Sequence, residues 1–128
     1  MKQTFTINEA QETVGSFFLT LLHAATNTHI LHLQSKSYSE HQALGAFYDE
    51  IVDLTDGVIE SYQGKHGLVQ YPVQYAKPAS TGLLELTSLS AYVTINRNVI
   101  GNDSELQNEV DSIMNLINST IYKLTFLK

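Results

Sequence analysis

His41, Asp56 and Glu60 stand 15 and then 4 residues apart in a stretch, Ser39 to Gln63, that reads as one amphipathic helix. His29 and His32 fall in the last turn or so of the helix before it. Neutral imidazoles combined with carboxylates suit borderline divalent metals: iron, manganese or zinc. Fixing one ion takes at least three such groups converging, and reactivity needs an open coordination position. The step from His41 to Asp56 is roughly 60° around a helix but roughly 22 Å along it. One chain therefore cannot bring both ends of that helix to a single ion. The set closes only if an antiparallel copy of the helix, in a second subunit, supplies the distant end. That implies a two-fold dimer with paired sites, each taking histidines from one chain and carboxylates from the other.

Positioning these residues takes two long consecutive helices. The first is expected near 8–36, starting at Thr6 or Asn8, where Thr6 with Glu9 and Asn8 with Gln11 have capping-box spacing. Its inward stripe reads Val14, Phe18, Leu21, Leu22, Ala25, His29, His32 and Leu33. The second, near 38–64, follows a cap at Ser37 or Ser39 and carries His41, Leu44, Tyr48, Ile51, Thr55, Val58 and Tyr62 on one face. Beside that face runs an acidic stripe, Asp49, Asp53, Asp56 and Glu60. Gly45 and Gly57 inside this helix each cost about 1 kcal/mol relative to Ala, which suggests close approach of another helix, with simple drift as the alternative. Gly64 and Gly67 mark its end.

The stretch from His66 to Gly82, with Pro72, Pro78 and a Tyr71/Tyr75 pair, lacks periodicity and is long for a simple connection. It has the reach to run the length of a helix, so it reads as a crossover. Leu86, Leu89, Val93, Asn96, Arg97 and Ile100 fit a helix over 83–100, although Ala91 to Ile95 is also β-prone. The last helix, near 103–127, is capped by Asp103 or Ser104, with Gln107 three residues after the latter. Its stripe is Leu106, Val110, Ile113, Met114, Ile117, Ile121 and Leu124. Short first and last connections with one long crossover between the second and third helices define an all-α, ferritin-like four-helix bundle.

Bulk properties narrow the classes. A chain of 128 residues, 43% hydrophobic and 16% charged, fits one globular domain. Its formal net charge is −6 and its seven basic residues are scattered, so nucleic-acid binding is not expected. No run approaches the roughly 20 apolar residues of a membrane span, and Met1 to Phe5 lacks the apolar run of a secretory signal. The expectation is a cytoplasmic protein. Cysteine is absent, which excludes disulfides and thiolate metal sites.

The run Thr28-His29-Ile30-Leu31-His32-Leu33, with His41, Phe47, Asp56 and Glu60 at their internal spacing, resembles the ferroxidase motif of the Dps branch of the ferritin-like superfamily. The resemblance covers roughly residues 14 to 64. It implies an intersubunit iron site, a dimer building block of a larger homo-oligomer, and possession by this chain of metal ligands among His29, His32, His41, Asp56 and Glu60. Either His29 or His32 aligns with the family's first histidine. Leu33 replaces the usual aromatic there, and the basic N-terminal tail of DNA-binding members is missing. The Glu40-to-Leu44 and Asp56-to-Tyr62 segments, with the C-terminal half, resemble a group of short tailed-phage proteins. That resemblance implies a phage-encoded protein acting in a bacterial host cytoplasm or associated with the virion.

A plainer reading stands beside it. Histidines on apolar faces commonly serve packing, acidic stripes are usually solvated, and Tyr48, Tyr62, Phe17 and Phe18 suit core or interface. Tyr71 and Tyr75 also read first as packing, with the lining of a pocket as the alternative. The alternative function is then a non-catalytic phage accessory protein that keeps the bundle without metal chemistry. It would be a virion component, or a counter-defence protein binding a host protein or small nucleotide.

Overall fold

Thr13 opens the first helix. Its hydroxyl accepts from the Ser16 N–H, and Ser16 Oγ accepts from the Thr13 N–H, a reciprocal capping box. The computed structural model describes residues 12–128, so the expected starts at Thr6 and Asn8 lie outside the described residues. A helix continuous from residue 8 is nonetheless corrected, because Thr13 is extended (φ −126°, ψ 169°). Helix α1 spans Val14–Gln34, α2 Tyr38–His66, α3 Gly82–Asn96 and α4 Ser104–Phe126, with a 3-10 turn at Arg97–Ile100.

Each boundary has a local cause. Ser37 caps α2 by accepting from the Glu40 N–H, and Thr81 caps α3 by accepting from the Leu84 N–H. Gly67, not Gly64, ends α2: its φ of 95° is one that glycine adopts without steric cost. The β-prone Ala91 to Ile95 is helical, and no strand occurs among the described residues. Tertiary packing overrides the branched residues there, because Val93 must reach the core alongside Leu86 and Leu89.

Helix α1 packs on α2 and on α3, and α4 packs on the same two. A Cβ at Gly82 would stand 3.0 Å from Leu44 Cδ1 and 3.3 Å from Glu40 Oε2, so α3 begins beside the beginning of α2. The connection 67–81 therefore returns along the length of the bundle before α3 starts. It lies against α1: Gln74 Nε2 donates to Thr20 Oγ1 over 3.1 Å. The result is an all-helical four-helix bundle with one long crossover between its second and third helices. No helix of the described residues is long and apolar enough to cross a membrane.

The core joins Phe17, Phe18 and Leu21 of α1 to Leu44, Phe47, Ile51 and Val58 of α2, Leu86 and Val93 of α3, and Leu106, Val110, Ile113 and Ile117 of α4. The stripes expected on α2, α3 and α4 fall on this core. The stripe expected on α1 does so only in part: Phe18 and Leu21 are buried and Val14, Leu22 and Ala25 pack against the core, but His29 and Leu33 are exposed. Its inward line is Phe17, Leu21, Ala24, Thr28 and Leu31, whereas Leu33 is 67% exposed. The small and polar members of that line hid it from a search for large apolar residues.

Asp103 is the N-cap of α4 but makes no side-chain cap bond, and the proposed Ser104 cap is not formed. Its carboxylate instead accepts from Lys65 Nζ at 2.9 Å and from His66 Nε2 at 2.8 Å, tying the end of α2 to the start of α4. His66, read from sequence as a loop residue, is the last residue of α2. Gln107 braces the 3-10 turn, donating to the carbonyls of Arg97 and Gly101 and accepting from Arg97 Nε.

The Lys65 and His66 bonds hold the Asp103 carboxyl below the usual carboxylate range. A carboxyl depressed in the folded state adds stability above its unfolded pKa, and that stability is lost as pH falls through the folded value. Asp103→Asn should therefore flatten the acid side of the stability profile, below about pH 4. Thermal melts of both proteins from pH 2.5 to 7 check this; parallel curves would mean the carboxylate contributes nothing.

Candidate functional site

Where α1 ends and α2 begins, two histidines hold each other. His32 Nδ1 lies 2.6 Å from the His41 carbonyl oxygen, and His41 Nδ1 lies 2.9 Å from the His32 carbonyl oxygen. The rings stack between these bonds, centroids 3.7 Å apart and planes 17° from parallel. A carbonyl oxygen only accepts, so each Nδ1 carries the proton. In the neutral rings each Nε2 is then a free lone pair, the state in which histidine ligates a metal, with its other nitrogen oriented by a carbonyl.

Gly45 makes the arrangement possible. A Cβ there would come 2.9 Å from His32 Cε1 and 3.0 Å from His32 Nδ1. The inference of close approach at Gly45 thus has a specific cause, an imidazole rather than a helix backbone. At Gly57 the nearest atom is the tip of the flexible Glu109 side chain, at 3.2 Å, so the glycine is not required there.

His29 extends the cluster. Its ring stacks on Tyr48 with centroids 4.0 Å apart and planes 7° from parallel, and it stands 6.1 Å from the His32 ring. One turn of α1 therefore presents His29 and His32 toward α2, where the Tyr48 ring meets both imidazoles. Asp49, Asp53, Asp56 and Glu60 lie farther along α2 and are all exposed. The structure brings His29, His32 and His41 together and leaves Asp56 and Glu60 apart from them. Among the described residues, no group of three or more histidine, aspartate or glutamate side chains of one chain is placed to hold an ion.

A second polar site was not visible in the sequence. The opposite flank of α1 carries His23 and Asn27, which with the crossover and α3 line an open cleft of about 440 Å³. The His23 Nδ1 is buried with no hydrogen-bond partner. Tyr75 is 87% exposed and lines this cleft, so the first expectation of packing is corrected in favour of the pocket-lining alternative. Tyr92, across the cleft on α3, donates to Glu12 and stacks on Phe17, and burial with the acidic partner pushes its phenol strongly upward. The signal for His23 was its spacing: it lies one turn before Asn27 and off the apolar stripe, a flank that has to face some other element.

The sequence profile of DUF5856, a family of unknown function, matches residues 32–124. The match begins at His32 and takes in His41, Asp56 and Glu60 while leaving out His23 and His29. No curated protein and no solved structure matches the chain.

Proposed function

The chain belongs to this DUF5856 family, and we propose that it is a ferritin-like, Dps-like metal-binding protein that takes up ferrous iron at sites shared between subunits. The observation that carries the reading is the reciprocal His32–His41 exchange, which fixes both tautomers and leaves both Nε2 atoms as donors. Helix order and the long crossover support the ferritin-like assignment, since that fold has one such connection.

His32 and His41 of one subunit, with His29 beside them, would face Asp56 and Glu60 of the partner subunit across antiparallel α2 helices. Val52, 40% exposed, lies near the middle of the α2 strip that such a dimer would cover. The donor set of imidazole and carboxylate suits iron, with manganese and zinc accepted by the same chemistry. Bound there, iron would supply one-electron chemistry. The residues themselves bind, orient the imidazoles through backbone carbonyls, and balance the ion's charge with carboxylates. A dimer of this kind, working in the cytosol, is the unit from which a larger closed homo-oligomer is built.

The test is elemental analysis of protein purified without chelator, together with its mass in solution. Stoichiometric iron, manganese or zinc in a dimer-based oligomer is the expected result. A metal-free monomer that stays so after ferrous iron is added anaerobically would end the shared-site reading.

A further inference from the structure

The cleft on the far flank of α1 is walled by three separate elements, and its chemistry is mixed in a particular way. His23 and Asn27 line it from α1; Asn27 is 8% exposed, and the His23 ring has its Nδ1 buried without a partner, leaving Nε2 as the ring nitrogen available to the cleft. An amide and an imidazole side by side offer both donors and acceptors, the complement of a nucleobase edge. Leu89 adds an apolar wall. At the lip the Tyr75 ring presents a free π-face, and Lys77 places a cation within the same cleft. Glu85 holds the crossover in place, accepting from the Ala79 N–H at 2.9 Å with one oxygen. Its carboxylate is the type of group that accepts from ribose hydroxyls. The volume, about 440 Å³, falls within the range of small-molecule sites.

We propose that this cleft binds a mononucleotide, with the base stacked on Tyr75 and read by His23 and Asn27, and the phosphate held by Lys77. The site is independent of the His32–His41 cluster, so it stands or falls apart from the metal reading.

Isothermal titration of the full-length protein with AMP, GMP, CMP and UMP, each followed by the matching nucleoside, and then with inorganic phosphate, tests it. At least one mononucleotide should bind with one site per chain and a dissociation constant well below 1 mM. Inorganic phosphate alone should bind far more weakly. Tyr75 and Lys77 are exposed, so their substitution leaves the fold intact. Tyr75→Ala should weaken the mononucleotide and its nucleoside alike by about tenfold, whereas Lys77→Ala should weaken the mononucleotide and spare the nucleoside. His23→Gln should weaken both. Absence of binding by all four mononucleotides up to several millimolar overturns the proposal. So does binding that none of the three substitutions alters, or binding of phosphate as tight as that of the mononucleotide.

Discussion

Glu60→Gln and His41→Ala should each empty the metal sites when purified alone, and mixing the two variants should restore about a quarter of the wild-type metal. The arithmetic follows from two-fold symmetry. In a mixed dimer, one site receives the altered residue from both subunits and is dead. The other receives His41 from the Glu60→Gln subunit and Glu60 from the His41→Ala subunit, and is whole. Half the dimers are mixed after random exchange, and half their sites work. A site contained in one chain would recover nothing. Melting adds a sign test. An ion bound at 100 times its dissociation constant stabilises the fold by about 2.7 kcal/mol, so in metal-supplemented buffer Glu60→Gln should lower the melting temperature. If the exposed acidic stripe is only crowded charge, the same substitution relieves repulsion and should raise it slightly. Stabilisation with no metal lost would end the ferroxidase reading.

Gly15→Ala should destabilise the protein by about 1–3 kcal/mol, although alanine is the better helix former. A Cβ at residue 15 would stand 1.9 Å from the Gln70 carbonyl oxygen and 3.3 Å from Pro72 Cδ. The atom it meets is backbone, which cannot rotate away, so the crossover itself has to lift from α1. Gly64→Ala is the matched control: nothing lies within 4 Å of its Cβ position, and the change should be neutral or stabilising by up to about 1 kcal/mol. Denaturant midpoints give both signs, and limited proteolysis at 67–81 should be faster in Gly15→Ala. Equal effects at the two positions would show that the crossover does not rest on Gly15.

Residues of α2 and α4 were legible because their buried positions are large, apolar and repeat at helical spacing. Helix α1 was legible as a helix but only in part in its orientation. Thr28 is 0% exposed, and its hydroxyl donates to the Ala24 carbonyl at 2.7 Å, so it enters the core with its polarity already spent. A composition-based stripe does not count such a residue as apolar and turns toward Leu22, Ala25 and Leu33 instead. The His32–His41 pairing was implicit in their positions on either side of one short turn. The exchange of backbone bonds was not, since it depends on Gly45 vacating the space of one methyl group. His23 stayed hidden for a different reason: its surroundings come from a crossover with no periodicity and from a helix far along the chain.

The same exchange bears on how the chain reaches this fold. His32 and His41 are nine residues apart, so closing the α1–α2 hairpin costs little loop entropy. The crossover must instead find α1 across more than fifty residues, as the Gln74–Thr20 bond does. Contacts of low sequence separation form fast, and distant ones wait on them. The first two helices can therefore fasten as a unit before the second pair is in place, and that early unit already holds both imidazoles in their final tautomers.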